Sequence, residues 1–233
     1  MQTLRWHPFP AQDALQAAVL DAIRRGAEQA IASRGAFHLV LAGGNTPRAV
    51  YGQCRKFVTD WTRWHVYFGD ERCLPEHDPA RNSTMASEAW LAHVPIPPSQ
   101  IHAIPAEIGA EEAAVAYAET LHPLGDFDLV LLGLGEDGHT ASLFPGHPWG
   151  DAQDAPDTLA VRDAPKPPPA RVSLSARRLS RTREVVFIVA GAEKKDALSA
   201  WQTKAGIPAQ SILPAGGIDV FCEAGLLAPT PKG

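Results

Sequence analysis

Apolar positions along the chain recur at two spacings, and the alternation between them predicts the elements. Leu15, Ala18, Val19, Ala22 and Ile23 follow one another at steps of three and four, which predicts a helix over Asp13–Ser33 stopped by Gly35. Phe37–Leu41 reads as a buried first strand, and Pro47–Phe57 as the helix after it. Trp64–Phe68 reads as a strand, and Asn82–His93 as a helix capped by Asn82 or Ser83. Pro95–Pro105 holds four prolines and is expected to be irregular. Ala110–Leu121 has the pattern of an amphipathic helix, and Phe127–Leu132 that of a fully buried strand. Pro145–Pro169 is rich in Pro and Asp and reads as loop, with a short strand at Leu159–Arg162. A strand at Glu184–Val189, a helix at Glu193–Gln202 and a short strand at Ile218–Phe221 complete the series.

Strands alternating with helices predict an α/β fold: a mostly parallel, Rossmann-like sheet with helices on both faces. No internal repeat is found, and the Pro-rich stretch is too short to divide the chain. A single domain over residues 1–233 is therefore expected.

Composition narrows the classes of function. An apolar fraction of 45% and a charged fraction of 20% are those of an ordinary soluble globular protein. No run approaches the roughly 20 apolar residues of a membrane span, and Met1–Pro10 lacks the pattern of a signal peptide. Three cysteines, Cys54, Cys73 and Cys222, are an odd number without metal-type spacing, which favours reduced thiols. A cytoplasmic protein without a membrane partner is expected. The net charge of -5 argues against a nucleic-acid partner. An anionic small substrate stays open, because only the field at its site matters.

Four segments carry candidate chemistry. In Gly133-Leu-Gly-Glu-Asp-Gly-His139 a buried strand breaks into glycines and presents Asp137 and His139, an acid beside a group that titrates near neutrality. Ligands of open α/β sheets sit beyond the carboxyl ends of strands, so this pair is a candidate proton-handling site. Thr140 and Ser142 read as caps of a short helix; the Gly-x-Ser-x-Gly context of a serine nucleophile is missing. In Ala42-Gly43-Gly44-Asn45-Thr46-Pro47 a glycine turn leads from strand to helix, with Thr46 as N-cap and Pro47 at the first helical position. Such a helix start attracts phosphate through its N–H groups, and equally serves as a plain capped turn. Asp70-Glu71-Arg72 follows a strand; three consecutive charges ordinarily solvate a turn, and alternatively aim an arginine into the cleft. Arg171, in Arg171-Val-Ser-Leu174, and Lys194, at the start of a helix, are late basic residues; a Lys there opposes the helix dipole unless an anion is near.

Taken together, these segments resemble the 6-phosphogluconolactonase family, which is related to the glucosamine-6-phosphate deaminases. The long segment Gly133-Leu-Gly-Glu-Asp-Gly-His-Thr-Ala-Ser-Leu-Phe-Pro145 is the most specific, and the matches run from about residue 36 to 200. Asn45 stands where the family commonly has Ser, an amide donor in place of a hydroxyl. Arg72, where the deaminases usually carry Tyr, and the residues after His139 favour the lactonase.

The resemblance implies a sugar-phosphate isomerase/deaminase-type fold and hydrolysis of 6-phospho-D-glucono-1,5-lactone in the oxidative pentose phosphate pathway. It implies no metal and no organic cofactor. His139 would be the general base, Asp137 its orienting partner, and Arg72 the stabiliser of developing negative charge. Gly43, Gly44, Asn45, Thr46, Asp70, Arg171 and Lys194 would bind the substrate and its phosphate. A monomer or weak homo-oligomer is expected. Two rivals remain: a deaminase using Asp70 as base, and a sugar-phosphate sensor without chemistry.

Overall fold

A computed structural model describes residues 2–227. In chain order, β1 (Leu4–Phe9) leads into the long helix α1 (Gln12–Arg34), followed by β2 (Phe37–Leu41) and α2 (Asn45–Cys54). Then come β3 (Trp64–Phe68), β4 (Asp70–Arg72), α3 (Asn82–Ala89), β5 (Ile101–His102) and α4 (Ala110–Leu121). The remainder is β6 (Phe127–Gly133), β7 (Thr158–Val161), β8 (Arg171–Leu174), α5 (Ala176–Ser180), β9 (Thr182–Val189), α6 (Lys195–Gln202) and β10 (Ile218–Glu223).

Seven strands form one sheet in the order β1-β10-β9-β6-β2-β3-β5, with every pairing parallel. From β2 the chain winds outward through β3 to β5. It then returns to the other flank of β2 as β6 and winds away through β9 and β10. The order therefore reverses between β2 and β6, and crossovers leaving in opposite directions leave a crevice at the carboxyl ends of those two strands. Strand β6 is buried along Phe127–Leu132. The run Leu129–Leu132 is apolar at successive positions because helices and loops cover both faces of a parallel sheet, and the buried Asp128 before it is paired with Arg34. Helix α1 buries Leu15, Val19, Ala22, Ile23, Ala27 and Ala30 and lies across five of the strands. It ends as expected at Gly35, whose φ of 81° lets its N–H reach the carbonyl of Ile31.

A second, antiparallel sheet, β4-β8-β7, stands at this rim. The chain passes into it at Gly69, whose N–H donates to the carbonyl of Leu41 (3.1 Å) and whose carbonyl accepts from the N–H of Leu174 (2.8 Å). Helix α4 packs on β7 and β8.

Several sequence expectations are corrected. The first strand is β1, not Phe37–Leu41. Among the described residues it pairs only with β10, and such an edge position tolerates Pro8 inside the strand. Asp70–Arg72 is a strand rather than a turn, and Ile101–His102 adds a short strand inside the Pro-rich stretch. Helix α2 starts at Asn45 with Gly44 as N-cap, not at Pro47 with Thr46 as cap. At φ 111° the N-cap position suits glycine. Helix α3 ends at Ala89, and its side-chain cap comes from neither Asn82 nor Ser83. No helix follows Thr140; Thr140 instead bridges Leu143 and donates through its hydroxyl to the carbonyl of Gly133 (2.9 Å). Among the described residues, no helix is long and apolar enough to cross a membrane.

Candidate active site

The crevice at the strand-order reversal is a cleft of about 220 Å³. Its walls are the ends of β2 and β6 with the turns after them, the β4 and β8 strands of the small sheet, and Lys194 from the turn between β9 and α6. Segments far apart in sequence meet there because each follows a strand of the same rim.

The β4 segment shows how a strand sorts its side chains. Successive residues face opposite sides, so Asp70 and Arg72 share one face and Glu71 takes the other. Asp70 and Arg72 line the cleft. Glu71 is fully buried behind it, where its carboxylate accepts from the N–H groups of Asn82 (2.7 Å) and Ser83 (2.8 Å). Glu71 thus supplies the cap of α3 from another element, and it also lies 3.5 Å from Arg81 Nε in a buried ion pair. Arg81 pairs further with Glu107 (2.8 Å). The three consecutive charges are therefore not a solvated turn.

Asp70 is tied down by two donors. Ser142 Oγ donates to its Oδ2 (2.6 Å) and Asn82 Nδ2 to its Oδ1 (3.0 Å). The N–H of Ser142 donates to Ser173 Oγ (3.2 Å), directly across from Asp70 on β8. The Asp137–His139 turn is thereby stitched to the small sheet that carries the arginines.

Strand pairing sets Arg72 opposite Arg171. Like charges directly opposite each other destabilise a sheet unless something neutralises them. Arg171 is buried, and its Nε and Nη2 donate to the carbonyls of Pro168 (3.0 Å) and Lys166 (2.8 Å). Burial lowers its pKa from the ordinary arginine value, against the favourable charge of Asp70. Arg72 donates to the carbonyl of Ala80 (2.5 Å), while its buried Nε finds no hydrogen-bond partner among the described residues. An orphaned buried donor beside a second cation in a cleft invites an anionic ligand. The cleft thus gathers Arg72, Arg171 and Lys194 against Asp70, although the whole chain carries a net charge of -5.

His139 lines the same cleft. Its Nδ1 is hydrogen-bonded to Asp137 Oδ1, and Asp137 also accepts from the His139 main-chain N–H (3.2 Å). Asp137 stands behind the ring rather than in the cleft lining. With Nδ1 engaged, Nε2 is the nitrogen left for chemistry. Burial lowers the imidazole pKa below its ordinary 6.5, while the hydrogen bond and charge of Asp137 work in the opposite direction. Burial pushes the Asp137 carboxyl up, but the hydrogen bond and charge of His139 outweigh it and leave it below the ordinary carboxylate value. Gly135 is needed for packing, because a Cβ there would meet the His139 ring and the Asp137 carboxylate. In the same way Gly43 has no room for a side chain beneath Asn82.

The structure therefore brings together Gly43, Gly44, Asp70, Arg72, His139, Arg171 and Lys194, with Asp137 behind His139. It leaves the Asn45 and Thr46 side chains out: Asn45 is exposed, and Thr46 Oγ1 accepts from Gln12 Nε2 (3.3 Å). The sequence offers Asn82 and Ser142 as caps, with Ser142 also weighed as a nucleophile, yet both hold Asp70. Their signal was weak because a short polar side chain before a helix looks like a cap.

A family model for glucosamine-6-phosphate isomerases/6-phosphogluconolactonase matches residues 10–221, and the chain belongs to this family. Among its relatives, a 6-phosphogluconolactonase of Mycobacterium leprae is 38% identical over 217 residues, covering 86% of this chain and 85% of the relative. A 6-phosphogluconolactonase of Streptomyces coelicolor is 40% identical over 193 residues, covering 75% and 74%. The crystal structure of 6-phosphogluconolactonase from Thermotoga maritima matches with a TM-score of 0.85 at 25% identity, over 96% of this chain and 100% of that one.

Glu71→Ala removes the cap of α3 and one anion from Arg81. Urea denaturation is expected to register a loss of about 3 kcal/mol, the cost of breaking a buried ion pair from one side. An unchanged midpoint would contradict the buried role assigned to Glu71.

Proposed function

We propose that the cleft hydrolyses 6-phospho-D-glucono-1,5-lactone to 6-phosphogluconate, with His139 as the general base. The observation that carries this reading is a single cleft in which an imidazole, oriented at Nδ1 by Asp137, shares its walls with Arg72, Arg171 and Lys194. An ester carbonyl to be attacked and a phosphate to be gripped are the two ends such a cleft would need. The relatives' names point to the same substrate.

In this mechanism Nε2 of His139 takes a proton from water as its oxygen attacks the lactone carbonyl carbon. Arg72 stabilises the negative charge that develops on the carbonyl oxygen. Collapse of the tetrahedral intermediate breaks the bond to the ring oxygen, which receives its proton from the imidazolium. The new carboxyl group then loses a proton to solvent. Asp137 keeps the imidazole in the tautomer with Nε2 free and stabilises its charged form. Arg171 and Lys194 hold the 6-phosphate. Gly44, Asn45 and Thr46 add main-chain N–H groups from the first turn of α2 rather than side chains. Asp70, already an acceptor, takes a substrate hydroxyl. Phosphate binding fixes the lactone against the base, so affinity becomes orientation.

Four measurements test the proposal. In an assay where glucose-6-phosphate dehydrogenase generates the lactone in place, His139→Ala is expected to lower turnover by about 10²–10⁴-fold above the spontaneous background. Wild-type turnover by that variant removes His139 from its role, and ammonia release from glucosamine 6-phosphate by the wild type replaces the lactonase with a deaminase. The acid limb of the rate profile is expected below pH 6.5, because burial lowers the imidazole and only its neutral form is a base. Asp137→Asn removes a charge that raises that pKa, so the limb is expected to move to still lower pH as the plateau rate falls; a limb that stays put counts against the pairing. Arg171→Ala is expected to weaken 6-phosphogluconate binding in calorimetry by about tenfold or more, the scale of a lost charge-assisted hydrogen bond.

A further inference from the structure

Phe144 is fully buried and does not line the cleft, yet its ring touches two groups that do. Its centroid lies 4.9 Å from that of the His139 imidazole, with the planes inclined by 37°. The guanidinium carbon of Arg171 lies over the same ring, 5.5 Å from its centroid, within the range of cation–π attraction.

Each of these two groups has its other restraints elsewhere. His139 is held through Nδ1 by Asp137. Arg171 is held through Nε and Nη2 by the carbonyls of Lys166, Pro167 and Pro168. The Phe144 ring is in close contact with both groups. It is itself anchored, since the Phe144 carbonyl accepts from Trp149 Nε1 (2.6 Å) and from the His147 N–H (3.2 Å).

We propose that Phe144 is a positioning residue, a rigid aromatic spacer that sets the distance between the proton-transferring imidazole and the cation gripping the anionic end of the substrate. This rests on the roles given above to His139 and Arg171. A planar ring suits the task because it has no internal torsions to relax and offers its face to a cation. A displacement of about 1 Å between base and anchor costs on the order of 10²-fold in rate. The spacer also excludes water from one side of the imidazole, whose other charged neighbours are Asp137, Lys166 and Asp70.

The test compares Phe144→Leu, which removes the ring, with Phe144→Tyr, which keeps it. Three quantities are read: kcat and KM in the lactone assay, calorimetric affinity for 6-phosphogluconate and for inorganic phosphate, and NMR titration of the His139 Cε1–H. Thermal unfolding shows that each variant is folded; should the leucine variant not fold, Phe144→Met carries the same expectations.

Phe144→Leu is expected to lower kcat by about 10²-fold and weaken anion affinity by roughly 2- to 5-fold. It is also expected to bring the His139 titration up toward its ordinary value, with Phe144→Tyr close to wild type in all three. Wild-type values for a folded Phe144→Leu overturn the proposal. Equal losses in the leucine and tyrosine variants also overturn it, because they indicate general packing rather than a spacer. If wild-type protein turns over no lactone while anion affinity and the His139 titration still respond to the leucine variant and not to the tyrosine one, the spacer stands and the lactonase reading fails.

Discussion

A parallel sheet that grows outward in both directions from its middle has one place where neighbouring crossovers part company. Here that place lies between β2 and β6, and the rest of the site depends on it. The chain leaves β2 toward one edge and β6 toward the other, so neither connection fills the space above their carboxyl ends. The glycines after both strands keep that space open to a ligand at main-chain level. The turn holding Asp137 and His139 is then placed by the end of β6 and tied through Ser142 to Asp70 and Ser173 of the small sheet.

The small sheet completes the cleft with cations. Its strands are only three and four residues long, and their alternation does the sorting. Asp70, Arg72, Arg171 and Ser173 form one face, while Glu71 and Val172 form the other. A strand of three charged residues would be unstable alone. It holds because Glu71 has backbone N–H groups and Arg81 to satisfy it, and Asp70 has Ser142 and Asn82. The network also fixes the relative position of the two sheets, which is what brings Arg72 and His139 into one cavity.

The elements of the large sheet were legible where burial on both faces forces continuous apolar runs, as in Leu39–Leu41, Val66–Phe68 and Leu129–Leu132, each preceded by one polar residue, His38, His65 or Asp128. The strands that stayed hidden have no such signature. Edge strand β1 mixes Arg5, His7 and Pro8 with apolar residues, and β4 consists of charges whose partners lie far along the chain. Arg171-Val-Ser-Leu174 does alternate, but four residues are too few to weigh. Most of the proposed site residues were found because glycine turns and late cations are local features. What could not be read was the direction of each side chain: that Thr46 would meet Gln12, that Glu71 would turn away from the cleft, or that Ser142 would bind Asp70.

The facing pair Arg72 and Arg171 also bears on how long the folded chain lasts. Two guanidinium groups are opposed there, and the buried Nε of Arg72 has no hydrogen-bond partner among the described residues, so the cleft carries like charge that costs stability. Whatever binds the folded form and ignores the unfolded one shifts the folding equilibrium by mass action. An anion that binds between the two arginines would therefore raise resistance to heat and to proteases as its concentration rises.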